Sequence, residues 1–469
     1  MLMTVGTNSS SSVLRMIAAL NNADRARTVS MTRLATGNRI NRASDDPAGV
    51  VALNALNAEL AAVNAAIESN SRTEAMLNVA DSTLTEVSKL ISDIEGLVLK
   101  ATGSTVTAQE KAAYQAQIDE SLDSIDRIIN QATFNGQKLF DGTNRIAAFA
   151  SNNAAIKDIK VYSRNPNITG NQALTVTVNS IATRASSTMN VAMATPLSAP
   201  TVIQITGKLG TANITLNSGA NSSQIIAAIV AQKQVTGVSA TVQGANLNLM
   251  STTTGSDSFV SITTISGDSD WLTNAQVTKV TGTDAKVTVN GSKADAQGTQ
   301  VFYNGGGLSL SFNLANNTVG TYTLTVGGGG ATFQLGTNAN SRTSLGIGGV
   351  NTFELGRSDL GYLSQLRSGG AHSLTASNSN ALAIAREAAT QVATASARLG
   401  SFIKYQIAAS NNSLEARKEA VSLAASQIGE TDYTLETANL QKQEILIQTA
   451  TAMLSLANAQ QQNVLRLLQ

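Results

Sequence analysis

Catalysis and metal binding need reactive side chains at workable spacing, and this chain offers few of them. It contains no cysteine and a single histidine, His372, within a Gly/Ser-rich stretch. Disulfides, thiolate metal sites and thiol catalysis are therefore excluded, and a His-Glu-x-x-His zinc site lacks its second histidine. His372 reads as an ordinary surface residue on a loop. Nucleophilic catalysis would fall to a Ser/Lys or carboxylate pair, and no Gly-x-Ser-x-Gly run in a strand-to-helix setting supplies one. Asp45 and Asp46 are adjacent carboxylates, but Pro47 follows them, so capping of a new helix explains them better than acid/base work. The glycine runs Gly305–Gly307 and Gly346–Gly349 are not followed by Gly-Lys-Ser/Thr, so they read as turns rather than phosphate loops. The expectation is a chain without enzymatic activity, cofactor or metal.

Charge narrows the partners. The 32 basic residues are balanced by 31 acidic ones and spread along 469 residues, with no basic tail, which is not the footprint of a nucleic-acid binder. Met1 to Ser12 lacks a basic segment followed by a long apolar run, so it is not a cleavable secretory signal. Either the protein stays in the cytoplasm or it leaves by another route.

What remains to be positioned is apolar surface. The last forty residues contain no Gly or Pro, and Leu446, Ala450, Met453, Ala457, Gln460, Val464 and Leu467 follow at steps of four and three, a coiled-coil seam that requires a partner helix. Nine of the 21 side chains from Ile445 to Leu465 are Gln, Asn, Ser or Thr, too polar for a bilayer core. Val13, Met16, Ile17 and Leu20 begin a stripe near the other terminus, continued by Met31 and Leu34, and form the natural partner. Gly37 then permits a left-handed stop, and Asp45 or Asp46 caps a long second helix. Its seam runs through Leu53, Leu56, Leu60, Val63 and Ile67, then after a skip through Leu77, Ala80, Leu84, Val87, Ile91, Ile94 and Val98. About fifty such residues reach roughly 75 Å, longer than an ordinary globular core. Gln115, Ile118, Leu122, Ile125 and Ile129 give a third helix, ended by Thr133-Phe134-Asn135-Gly136.

From about Gln137 to Gly349 the texture becomes Thr, Val, Gly, Asn and Ser with period-two alternation, as in Leu174–Val178 and Tyr322–Val326, with one helix near Ser223–Lys233. Pro196 and Pro200 mark a linker, and Gly327–Gly330 a turn. Helix resumes at Ser377 or Ser379 with Leu382, Ala385, Ala389, Val392, Ser396, Leu399 and Ile403. The fold class is α+β: a long helical rod built from both termini, with a β-rich insertion at one tip.

Leu34 to Gly49, Thr133–Gly136, Glu430-Thr431-Asp432-Tyr433 and Asn463 to Leu468 together resemble bacterial flagellin. The resemblance covers about residues 1–165 and 360–469. It implies a subunit that polymerises into the flagellar filament, extracellular and exported uncleaved and unfolded, with partners in further copies of itself, hook-associated junction and cap proteins, and an export chaperone at the C-terminal helix. It further implies an inner coiled-coil domain at 1–44 and 428–469, with Val13, Ile17, Leu20, Leu446, Ala450, Met453, Ala457, Val464 and Leu467 as assembly surface. A rod domain with a β-hairpin is expected at 45–175 and 350–427, and an outer β-rich region at 176–349, divided near 190–265 and 275–349. Gly37, Arg39, Asn41, Asp45 and Asp46 would join the two helical domains and contact neighbouring subunits, though capping within the monomer accounts for them too. Val202–Gly210 through Gly255–Val260 looks like a short β-α-β repeat seen in some flagellins and hook-associated proteins. Flagellins that activate the vertebrate Toll-like receptor carry an Arg-x-Arg-Glu-Leu run in the rod. The matching positions here are Asp93, Ile94, Glu95, Gly96 and Leu97, which replace two cations by two anions.

Two other readings compete. A hook–filament junction protein shares Asp45-Asp46-Pro47 and paired terminal helices, but Phe134-Asn135-Gly136 and the Asn463–Leu468 ending favour flagellin. A surface binding module displayed on a filament scaffold would need paired carboxylates or a ligand site in the β region, and the sequence shows none in a recognisable setting.

Overall fold

The computed structural model describes the backbone of residues 3–467 except 104, 152–153, 169, 192, 194, 316–317 and 376–379, and the side chains of those residues apart from 3–10, 12, 461 and 463–467. The helix start expected at Ser377 or Ser379 lies outside the described residues. Helices flank strands: about 47% of the chain is helical and 28% strand, and the two kinds segregate along the sequence, as α+β requires. In chain order the helices are α1 (Met3–Thr36), α2 (Pro47–Ala101), α3 (Ala108–Gln131), α4 (Ser222–Ala231), α5 (Lys233–Thr236), α6 (Ser269–Asn274), α7 (Ala381–Phe402), α8 (Ala408–Gly429) and α9 (Tyr433–Leu467). A π-helical turn, Ile403–Ile407, joins α7 to α8. The chain divides into two units, residues 1–68 with 410–469, and residues 69–409.

In the unit of residues 69–409, the α2 seam is dry. Leu77, Ala80, Leu84, Val87, Ile91, Ile94 and Val98 are all at most 1% exposed, as are Ile118, Leu122 and Ile125 of α3. They share one core with Leu382, Ala385, Val392 and Leu399 of α7. The skip that the apolar pattern left between Ile67 and Leu77 is filled by Asn70 and Thr73, both buried at seam spacing. Asn70 Nδ2 donates to the Leu335 carbonyl at 3.3 Å, so the heptad continues with a polar residue that bonds to a loop. Thr107 caps α3 in a reciprocal box with Glu110. The α3 exit turns through Asn135 (φ 50°) and Gly136 (φ 78°), the left-handed pair of a two-residue hairpin between Thr133–Phe134 and Gln137–Lys138.

The same unit holds two β cores. One is an eight-stranded antiparallel sheet in the order 146–150, 320–329, 172–180, 286–289, 292–297, 300–305, 308–314, 156–163. The two outermost strands are neighbours in sequence and approach each other, so the sheet rolls around its apolar face. The two alternating runs are partners: Leu174 faces Leu324 and Val176 faces Tyr322 across one antiparallel ladder. Gly327–Gly329, expected as a turn, continue that strand past a bulge, and the reversal falls at Gly330. The other core lies within residues 185–275, where a three-stranded and a four-stranded sheet enclose Ile225 and Ile229 of α4 and Trp271 of α6. The chain leaves the first core for the second and returns at one point, where Thr183 and Thr283 pair.

His372 differs from expectation. It is half-buried, its amide donates to the Gln365 carbonyl at 3.1 Å, and Nδ1 is buried without a hydrogen-bond partner. The loop holding it is packed against Gly361, whose missing side chain makes room for the ring.

Candidate assembly interface

The unit of residues 1–68 and 410–469 is where most of the sequence-derived site residues fall. The end of α1 meets the start of α9: Thr431 N–H donates to the Gly37 carbonyl at 2.9 Å, Arg39 N–H to the Gly429 carbonyl at 2.7 Å, and Asn38 pairs antiparallel with Glu430. The two helices therefore run antiparallel. Their shared face is a regular three-four seam. On α1 it takes Val13, Met16, Leu20, Ala23, Arg27, Ser30 and Leu34; on α9 it takes Leu440, Gln443, Ile447, Ala450, Leu454 and Ala457. Most of these are only half-buried.

The single stripe read from the sequence is thereby divided. Ala450 and Ala457 sit in the seam, whereas Leu446 (44% exposed) and Met453 (57%) lie outside it, with Ile445 and Leu456 also exposed. Val13 and Leu20 join the seam, while Ile17 stays 41% exposed and Met31 54%. The reason is that α9 is apolar over more than one face. Two heptad registers fit its sequence, and the partner helix selects one of them. Val464 and Leu467 lie outside the residues whose side chains are described.

The linker is held by its charged groups. Gly37 sits at φ 73° against the Tyr433 hydroxyl, where a Cβ would come to 3.0 Å. Arg39 places Nη2 at 2.8 Å and Nε at 3.2 Å from the Ile428 carbonyl, and 3.6 Å from Asp46. Asp46 is the cap of α2, accepting from Gly49 N–H at 2.9 Å, with Pro47 in the first turn. Asp45 instead folds back, accepting from the amides of Asn41 (3.0 Å) and Arg42 (2.9 Å). Those two amides hold its carboxyl below the usual range. Asn41 closes the turn by donating to the Asn38 carbonyl at 2.8 Å. Asp432 caps α9 through the amides of Thr434 and Leu435, and Arg33 reaches the buried Glu436 at 3.6 Å. Further along, Val63 and Ala66 pack on Leu414, and Glu59 pairs with Arg417 at 2.6 Å.

In the other unit, Asp93 is exposed on α2. Glu95 bonds Arg386 of α7 at 2.8 Å, and a Cβ on Gly96 would meet nothing within 4 Å. Among the described residues no cluster of three or more His, Cys, Asp or Glu is placed to hold a metal.

The helical ends of the chain have counterparts among known proteins. Residues 5–145 match the bacterial flagellin N-terminal helical region, and residues 382–468 match the C-terminal helical region. Flagellin B of Helicobacter pylori is 26% identical over 534 aligned positions that cover 99% of both chains. The chain belongs to the bacterial flagellin family. Flagellin A of the same species is 26% identical over 94% of each chain, and a flagellin of Clostridium tyrobutyricum is 32% identical over 26% of this chain and 32% of its own. A flagellar junction protein from Legionella pneumophila superposes on 84% of this flagellin and 100% of its own chain, but at 10% identity and a TM-score of 0.27 it carries no argument. The flagellin matches decide between the filament and junction readings, and the protein is a structural subunit of the flagellar filament.

Proposed function

We propose that this flagellin enters the filament by burying the outer faces of α1 and α9 against further copies of itself. The observation that carries the reading is the second apolar stripe. Ile445, Leu446, Met453 and Leu456 are 44–63% exposed on one side of a helix whose other side already faces α1. Leu14 and Ile17 repeat this on α1. Apolar rows of that length on a two-helix unit call for a partner, and identical subunits placed head to tail supply one indefinitely. On α2 an apolar 18-residue window has only 11% of its residues buried within the chain, apolar surface of the same kind. That window is long and apolar enough to cross a bilayer, and its heptad spacing favours a helical partner.

In this reading residues 1–44 and 428–469 form the inner domain, 45–175 and 350–427 the rod, and 176–349 the outward region. The linker from Gly37 to Asp46 fixes the angle between the helices it joins, through bonds made inside the monomer. The subunit is non-enzymatic and leaves the cell unfolded. Junction and cap proteins bind the ends of the polymer, and an export chaperone covers the α9 surface before assembly. The deciding experiment removes residues 464–469 and images the product by negative-stain electron microscopy. Loss of filaments with retention of the β-sheet circular dichroism is expected. Normal filaments from the truncated chain would overturn the reading.

A further inference from the structure

A cleft of about 410 Å³ opens between the strand 156–163 and α7, within the unit of residues 69–409. That volume is in the range of small-molecule sites. Its charged groups are unequally satisfied. Asp158 accepts from the amide and hydroxyl of Ser358 and from the Tyr362 hydroxyl at 3.0 Å. Burial, then the charge of Asp158, push that phenol up to about 12, so it stays a donor. Glu354 lies 3.7 Å from Arg145, Arg357 is bonded to Asp359, and Glu387 accepts from Gln391.

Two cations, like the carboxylates of Asp158 and Glu387, form no ion pair within 4.0 Å among the described residues. The ammonium of Lys160 donates to the Gln391 side-chain oxygen at 3.0 Å and makes no ion pair within 4.0 Å among the described residues. Burial presses it below the usual lysine range, while Asp158, Glu387 and Glu354 at longer range pull it back. The guanidinium of Arg398 lies flat over the Tyr162 ring, 3.4 Å from its centre, with one long bond of 3.4 Å to Ser309. Its Nε is buried with no acceptor, and Asn313 Oδ1, of another residue lining the cleft, is buried with no donor. A guanidinium has five N–H groups in a fixed fork that matches a carboxylate, and stacking on the Tyr162 ring holds this one in place without using those N–H groups. Burying the Arg398 guanidinium without a paired carboxylate is costly, and an incoming anion would offset that cost.

We propose that this cleft binds a small organic acid, its carboxylate held by the fork of Arg398 with Lys160 as the second cation. The size of the cleft favours an organic body over an inorganic anion. The aromatic side chain of Phe353, 68% exposed, and that of Phe302 line the cleft and give that body an apolar surface. The site lies outside the helices offered for assembly, so binding and polymerisation can be read separately.

The test titrates benzoate, succinate and citrate into the full-length monomer by calorimetry, with benzamide and inorganic phosphate as controls. Saturable heat with at least one acid and none with benzamide is expected. Arg398→Gln should weaken that acid by about tenfold or more, with partial recovery in Arg398→Lys. Lys160→Met should weaken it less, and it serves as the independent variant if Arg398→Gln fails to reach the parent melting temperature. Absence of saturable binding by every acid, equal binding of benzamide or phosphate, or wild-type affinity in a folded variant would each overturn the proposal.

Discussion

The two helical regions of this flagellin use one sequence pattern to different ends. In α2 the residues from Leu77 to Val98 at three-four spacing are almost fully enclosed by α3 and α7 of the same chain. In α1 and α9 the same spacing produces a seam that is mostly half-buried, with a second apolar row left in solvent. A heptad therefore specifies that a helix will be covered, without specifying by what. The difference lies in the number of apolar rows. A helix with one row can be completed within its own chain, while a helix with two rows keeps a surface for another chain.

Breaking the outer row should have the largest effect. Leu446→Asp with Met453→Asp places carboxylates where another subunit would pack, so polymerisation should be abolished while the monomer melts as before. Pelleting of filaments at wild-type yield would show that the row is not an interface. The matching change in the enclosed seam is Ile91→Ala, which should cost about 2–5 kcal/mol in monomer unfolding by urea. A loss below about 0.5 kcal/mol would mean that α2 is not the core helix described.

A smaller effect is expected at the linker. Asp46→Ala removes the α2 cap and should cost about 1 kcal/mol, visible as a lower melting temperature. Asp45 offers a pH-dependent companion. Its carboxyl is held below 3.8 by two backbone amides, so the stabilisation is present above 3.8 and is lost as pH falls through the folded value. Asp45→Asn should flatten the acid limb of the helical circular dichroism, and superimposable acid limbs would remove Asp45 from the account. The least effect should follow excision of residues 184–282 with a short Gly-Ser join at the Thr183–Thr283 pairing, because the second β core is entered and left there. Filaments and the remaining sheet should persist. Collapse of the eight-stranded sheet would show that the two β cores depend on each other.

Much of the helical architecture was legible in the residues themselves. Gln115, Ile118, Leu122, Ile125 and Ile129 are the buried residues of α3, because one amphipathic row admits one register. Asp46 before Pro47 was legible as a cap because few residue types can serve there. Asn70 and Thr73 do not stand out in the sequence, since the apolar alphabet hides polar seam positions, although their spacing continues the count. The register of α9 was not legible, since apolar rows on adjacent faces satisfy the same periodicity and only the partner chooses. Nor was the sheet order: strands 146–150 and 320–329 pair across more than a hundred residues, and alternation says which face is inward but not which strand is adjacent. Lys160 and Arg398 carry no motif at all, and both line the cleft only because strand 156–163 and α7 place them there.

The bonds from Arg39 to the Ile428 carbonyl join positions 389 residues apart. Contacts of that separation are slow to form, since the chain must bring distant segments together before any attraction rewards it, and each doubling of the loop adds about 0.6 kcal/mol of closure entropy. Folding of the intervening strands and helices shortens the effective loop. The pairing of α1 with α9 is thus a late kinetic event, and until it occurs α1 is a lone amphipathic helix whose stability depends on its own short-range bonds, a state in which isolated helices are marginal.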